Sequence, residues 1–185
     1  MPTTSYSPVQ KLLHWLVFAF VLGLYGITYA EGLFPRGDPG RDTVWWLHIS
    51  FGLLLIVLVV LRVGWRLSRG APALPESMRG PEKVLARIAH GLLYALLIAI
   101  PILGVLLTWY RGDTLSFFGL FAIPAPFPAV RETARTVKEL HELAANGILI
   151  VAGLHAAAAL WHHFVRRDDV LKRMLPGQGG NQSAT

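Results

Sequence analysis

Cysteine is absent from the 185 residues. That absence excludes disulfides, thiolate-bound iron–sulfur clusters, zinc ribbons and the Cys-x-x-Cys-His attachment of covalent haem. Any metal must be held by histidine, carboxylate or methionine. Charge is scarce as well: 15% of the residues are charged, 54% are hydrophobic, and the mean hydropathy is +0.49. Those proportions all but exclude a water-soluble globule.

Long apolar runs take the place of charge. A run of about 18 residues with few charges is enough to cross a bilayer, and four stretches qualify, at roughly 8–30, 44–65, 84–110 and 140–165. The expected fold class is all-α: an integral membrane four-helix bundle, one domain over 1–176, followed by a Gly, Gln, Asn and Ser tail over 177–185 expected to be disordered.

A net charge of +6 and a pI near 10.1 raise the question of nucleic acid, which the positions of the seventeen cations answer. Four spans put both termini on the side of the 66–83 loop. That side carries Lys11, Arg62, Arg66, Arg69, Arg79, Lys83, Arg87, Arg166, Arg167, Lys172 and Arg173. The other side has Arg36, Arg41, Arg111, Arg131, Arg135 and Lys138, diluted by seven carboxylates between Glu31 and Glu142. The positive-inside rule then places both termini in the cytoplasm. Basicity reads as topology and contact with lipid headgroups, and no nucleic-acid partner is expected, because no basic stripe is interleaved with aromatics on a soluble domain.

Helix one opens at Ser7-Pro8-Val9-Gln10, a capping box with proline at the first helical position. The rival reading is a signal peptide cleaved after Thr28-Tyr29-Ala30, but the apolar run is longer than a typical signal core. Helix two has Trp45 and Trp46 at one interface and Trp65 and Arg66 at the other, with Arg62 able to snorkel. Pro72, Pro75 and Pro81 predict an extended loop. Pro101 and Gly104 predict a kink in helix three. The stretch Leu115–Val130 is apolar yet too short and too proline-broken to cross, so it is expected on the outer surface of the bundle.

All seven histidines, His14, His48, His90, His141, His155, His162 and His163, lie within or at the ends of the spans. Ionisable groups are costly in a bilayer, which makes function their default reading. For a single histidine an interhelical hydrogen bond competes evenly; for seven it is weak. Their depths sort them. His14 lies near the cytoplasmic end of helix one and His48 near the outer end of helix two. On helix four, His141 and His155 are fourteen residues apart, which is about 40° around the helix and about 21 Å along it. Depth therefore pairs His48 with His141 and His14 with His155. Two facing imidazole pairs with no thiolate suit six-coordinate haem iron better than a zinc site, which wants four convergent ligands. Small residues around them, Gly23, Gly26, Gly52, Gly147, Gly153 and Ala156 to Ala159, mark either a porphyrin slot or close helix packing. His141-Glu142-Leu143-Ala144-Ala145 fails as a zinc-protease motif at Ala145.

The run Leu13-His14-Trp15-Leu16-Val17, the loop Phe34-Pro35-Arg36, His48, the turn Tyr110-Arg111-Gly112, and His141-Glu142 followed by Gly153-Leu154-His155-Ala156-Ala157-Ala158-Ala159-Leu160 together resemble the prokaryotic cytochrome b561 family. The resemblance runs from about Tyr6 to Pro176, with a wider kinship to haem b subunits of hydrogenases and formate dehydrogenases. It implies two non-covalent haem b groups with His14, His48, His141 and His155 as axial ligands, the same four that depth selects. It also implies electron transfer in the bacterial inner membrane, ubiquinone as substrate and, for stand-alone members, oxidation of superoxide at the outer face. The lysine expected in the proline-rich loop is missing before Arg79, which leaves Arg79 or Lys83 to take its place.

Haem propionates need cations; Arg62 and Arg66 on the inner side and Arg36 and Arg111 on the outer are the candidates, against plain anchoring and snorkelling. His90 and His162 are left over. Both are expected near the cytoplasmic water below the inner pair, where imidazole can hydrogen-bond a quinone and relay a proton. The alternatives are an interhelical hydrogen bond for His90 and an interfacial anchor beside His163 for His162. Two other functions stay open. One is a haem b anchor subunit passing electrons from a partner dehydrogenase or hydrogenase to quinone. The other is a histidine-lined metal or proton transporter, which the lack of carboxylates within the spans disfavours.

Overall fold

The computed structural model describes residues 5–75 and 77–177. The tail from 178 onward, expected to be disordered, lies outside the described residues. Four long helices dominate: α1 (Pro8–Ala30), α2 (Pro39–Arg69), α3 (Gly80–Tyr110) and α4 (Arg131–Trp161). Each is long and apolar enough to cross a membrane.

Caps rather than hydropathy set the helix ends. At α1, Ser7 Oγ accepts from the Gln10 amide at 3.3 Å and the Ser7 amide donates to Gln10 Oε1 at 3.0 Å, the expected capping box. At α2, Asp38 accepts from the Gly40 amide ahead of Pro39, so the helix begins before the apolar run does. The polar opening turns of α4 are likewise helical, braced by Arg135–Glu139 at 3.2 Å and Lys138–Glu142 at 3.3 Å, each at i,i+4 spacing. Pro101 sits inside α3, which runs through it as one helix.

The helices pack α1 on α2 and α3 on α4, with α2 also against α3. Both ends of the described chain meet at one end of the bundle. There Gln10 Nε2 donates to the Gly70 carbonyl at 2.8 Å, Lys11 Nζ to Leu175 and the Trp15 indole to Met174, both at 3.0 Å. Arg173 donates to Ala73 across the same face at 2.9 Å. We call this the basic end. Residues 168–175 form a strap across it.

At the opposite end, the segment expected on the outer surface is a β-hairpin. Strands β1 (Leu115–Phe117) and β2 (Phe121–Ile123) pair antiparallel, with Ser116 opposite Ala122. The turn needs two left-handed residues, Phe118 at φ +48 and Gly119 at φ +72. Glycine does this freely, phenylalanine does not. What holds Phe118 there is Ser50, fully buried on α2, which accepts from the Phe118 amide and donates to the Ser116 carbonyl, both at 3.0 Å. Trp46 adds an indole hydrogen bond to Ser116 Oγ at 3.3 Å. This is the hairpin end.

The dry core is one thin layer, Val17, Leu55, Val59, Leu97 and Ile148, drawn from all four helices. Many other large apolar side chains are exposed, as Ile150 at 65% and Leu154 at 68% illustrate. In water such a surface would aggregate; in a bilayer, lipid covers it. The chain is a multi-pass membrane protein.

Candidate cofactor sites

The core layer separates two pairs of histidines. At the hairpin end, His48 on α2 faces His141 on α4 with ring centroids 6.4 Å apart and planes at 75°. His48 Nδ1 lies 3.2 Å from the Leu24 carbonyl and His141 Nδ1 lies 2.9 Å from the Ile100 carbonyl. A carbonyl only accepts, so Nδ1 carries the proton on both rings and Nε2 keeps its lone pair. That is the tautomer a metal-binding imidazole needs, oriented by its second nitrogen. Gly104 leaves room for the His141 ring: a Cβ there would stand 3.2 Å from His141 Cε1, a tight contact that would make the ring give by a few tenths of an ångström.

Toward the basic end, His14 on α1 faces His155 on α4 with centroids 6.5 Å apart at 80°. His90 of α3 lies closer still to His155, at 5.2 Å. The two pairs are about 21 Å apart along α4 at 1.5 Å rise per residue. Val17 is one turn from His14, and Ile148 lies midway between His141 and His155, so the dry layer falls between the pairs.

The separations fit axial ligation. In an imidazole the ring atoms lie about 1.1 Å from the centroid, and a metal–imidazole bond is about 2.0–2.1 Å as at zinc, so two rings on opposite sides of one ion have centroids about 6.3 Å apart. Both pairs match that span. Among the described residues no three His, Cys, Asp or Glu side chains converge as a metal cluster, so a closed zinc site is not formed.

Space accompanies the hairpin-end pair. A cavity of about 740 Å³ reaches from the dry layer at Leu55 and Ile148 past His48 and His141 to a rim with Arg111, Lys138 and Glu142. Gly52 lines it, and a Cβ added there would meet nothing within 4 Å. A flat macrocycle therefore has both ligands and room. Of the outer cations nominated for propionates, Arg111 lines the cavity, though it also pairs with Asp113 at 3.1 Å. Arg36 is exposed and is not among the lining residues.

A second cavity, of about 720 Å³, opens at the basic end. Tyr6, Arg66, Lys83, Arg87, His90 and Tyr94 line it together with the loop from Ala71 to Leu74. Among the described residues its lining has three cations and no carboxylate, which suits an anionic or acceptor-rich group. The guanidinium carbons of Arg62 and Arg66 lie 5.6 and 5.8 Å from the Tyr94 ring centroid. Arg62 Nε is buried with no hydrogen-bond partner among the described residues. A buried donor on a charged group calls for an acceptor, which a propionate would be. Of the two candidates for the missing loop lysine, Lys83, on the first turn of α3, lines this cavity, and Arg79 is not among its lining residues.

His162 is placed differently from His90. It is buried, it is not among the residues lining the basic-end cavity, and its Nδ1 lies 2.6 Å from Asp168 Oδ2. Burial pushes the Asp168 carboxyl up. The hydrogen bonds from His162 and the Val170 amide, with the charges of His162 and Arg166, outweigh that and hold it below its ordinary 3.8. A depressed carboxyl stabilises the folded strap fully above the ordinary value, and that contribution is lost as pH falls through the lower folded one. Asp168 escaped sequence reasoning because no helical period joins residues six apart. Tyr94 had a visible signal, its i+4 spacing from His90.

The comparisons with known proteins agree along nearly the whole chain. A family model described as prokaryotic cytochrome b561 matches residues 5–177. A Yersinia pestis protein named "Probable superoxide oxidase CybB" is 34% identical, covering 95% of this chain and 98% of its own length. An Escherichia coli K12 protein named "Cytochrome b561 homolog 2" is also 34% identical, over 92% of this chain and 90% of that one. A Cereibacter sphaeroides protein named "Cytochrome b562" is 31% identical over 92% of this chain and 95% of its own.

Proposed function

The chain belongs to the prokaryotic cytochrome b561 family of membrane electron-transfer proteins, and from that premise we propose that it is a di-haem b superoxide:ubiquinone oxidoreductase. The observation that carries this reading is the pair of facing imidazole couples, 6.4 and 6.5 Å between centroids, set one above the other across a dry layer. His48 and His141 would hold one haem b, His14 and His155 the other. Haem b, when bound, supplies one-electron ferric–ferrous chemistry at each site. The rest falls to the chain itself. Leu24 and Ile100 fix the hairpin-end imidazoles in the ligating tautomer. Arg62, Arg66 and Arg111 would neutralise the haem propionates at the two boundaries. The layer of Val17, Leu55, Val59, Leu97 and Ile148 excludes water between the sites.

The net reaction balances as two superoxide anions, one quinone and two protons giving two dioxygen molecules and one quinol. Superoxide would be oxidised at the hairpin end, facing the periplasm, where its products leave to water. Ubiquinone would be reduced at the basic end, facing the cytoplasm, where His90 opens into a cavity rich in donors. The printed name of the Yersinia pestis relative supports the superoxide half.

The test is addition of superoxide to the purified protein in lipid nanodiscs holding ubiquinone. Haem bands should reduce rapidly and quinol should accumulate. Four of the hairpin-end cations are already paired, Arg41 with Glu31, Arg111 with Asp113, Arg135 with Glu139 and Lys138 with Glu142. Steering of the anion is therefore local, and the rate should fall only about twofold to fivefold from low to high salt. Haem that superoxide leaves oxidised, but that a co-purifying dehydrogenase reduces, would overturn this reading in favour of an anchor subunit.

A further inference from the structure

The β-hairpin stands between two environments. Thr114, Leu115 and Ser116 line the hairpin-end cavity that also holds His48 and His141, and Leu115 is buried. Across the pairing, with Leu115 opposite Ile123 and Phe117 opposite Phe121, all three residues of β2 are exposed. One strand borders the cavity and the other borders the outside, so the hairpin is a wall of the site. Strand pairing alone holds such a wall poorly, because a single two-stranded hairpin is marginally stable. This one also turns through Phe118 at φ +48, which a residue other than glycine keeps only where its surroundings over-determine it.

Ser50 supplies that constraint. Its hydroxyl, fully buried on α2, donates to the Ser116 carbonyl and accepts from the Phe118 amide, both at 3.0 Å, so the side-chain bonds it makes both go to the hairpin. The Phe118 ring packs edge-on against Trp46 and Phe51 of the same helix, with centroids 6.0 and 5.1 Å away. Ser50 is two residues from His48 and therefore about 200° around α2 from it, so it fastens the wall from the face opposite the imidazole.

We propose that the hairpin makes the hairpin-end site selective for a diatomic electron donor, and that Ser50 is the positioning residue that keeps it shut. The proposal rests on the superoxide reading above and adds to it the exclusion of larger donors. An electron crosses only a short gap, so a haem open on this side would accept electrons from any soluble reductant that met it. With the hairpin closed, donors approach by the rim at Arg111 and Lys138. Superoxide has only two atoms to fit there, whereas an organic reductant brings a whole ring system. The wall also keeps water from the site, which favours the less charged ferrous form and raises the potential.

The experiment compares wild type with Ser50→Ala, both in nanodiscs with both haems, using two donors: superoxide and, without oxygen, reduced flavin mononucleotide. Alanine leaves the Phe118 amide and the Ser116 carbonyl without their partner. Reduction by the flavin should quicken about 10-fold to 100-fold, the effect on an opening equilibrium of losing two buried hydrogen bonds, while reduction by superoxide stays within about twofold. Two readouts do not depend on turnover. Amide hydrogen exchange over 113–123 should quicken by the same factor, and redox titration should show a lower midpoint for the spectral component that His48→Ala removes, with the other unchanged. Trp46→Phe keeps the ring but drops the indole bond to Ser116 Oγ. It should move every readout the same way by about twofold to tenfold, and it decides the matter if Ser50→Ala fails to take up haem. Unchanged exchange, faster exchange with an unchanged flavin rate, or flavin and superoxide rates that rise together would each overturn the proposal and leave the superoxide reading standing. Failure of superoxide to reduce the wild-type haems would overturn that reading and the proposal with it.

Discussion

Purified His48→Ala and His141→Ala variants should each carry one haem b per chain, half the expected wild-type content, and should lose the same spectral component. On the proposed reading the two rings, 6.4 Å apart between centroids, would hold the same haem, and among the described residues no third metal-ligating side chain completes a cluster that could replace either. Each ring is also tied by Nδ1 to a different helix, His48 to Leu24 of α1 and His141 to Ile100 of α3, so neither can swing to compensate. His14→Ala and His155→Ala should remove the other haem and spare the first, since about 21 Å of α4 and the dry layer lie between. Haem counting by pyridine haemochrome, with the reduced-minus-oxidised spectrum of each variant, reads both outcomes. A variant that keeps both components would remove its histidine from the ligand set.

His90→Ala should behave in the opposite way, keeping both haems yet slowing quinol formation about 100-fold. His90 stands 5.2 Å from His155 between ring centroids, too near for the span of an axial pair, and it opens into the basic-end cavity beside Arg66, Lys83 and Arg87. A histidine in that position can donate a hydrogen bond to a quinone oxygen without holding iron, and loss of an acid–base group of this kind costs about 10²-fold to 10⁴-fold. Stopped-flow reduction of haem by superoxide, followed by quinol assay on the same sample, separates the two halves of the reaction. The first should match wild type. Loss of a haem in His90→Ala would instead pair His90 with His155 and release His14 from ligation.

Much of this was legible because the signals are local. Apolar run lengths located the four helices, Ser7 to Gln10 marked the start of α1, and fourteen-residue spacing on one helix put His141 and His155 on a shared face at two depths. What stayed hidden depends on backbone conformations that only tertiary contacts enforce. The hairpin needs Phe118 in the left-handed region, and the Ser50 bonds that stabilise it span 66 and 68 residues of chain. The His162–Asp168 pair needs Arg167 to reverse the chain. Helix ends were misjudged where a polar opening turn, as at Arg131–Leu140, is helical through caps and ion pairs rather than hydropathy. Charge sidedness groups the cations but not their partners: of the two outer candidates for a propionate, Arg111 lines the hairpin-end cavity and Arg36 is not among its lining residues.

The central claim, two bis-histidine haem b centres in one four-helix chain, is tested most directly by the haem-to-protein ratio of the purified wild-type protein. The account predicts two b-type haems per chain, both six-coordinate and low-spin in the oxidised optical spectrum. A ratio of one, or a high-spin signal showing that a centre lacks its second imidazole, would contradict it.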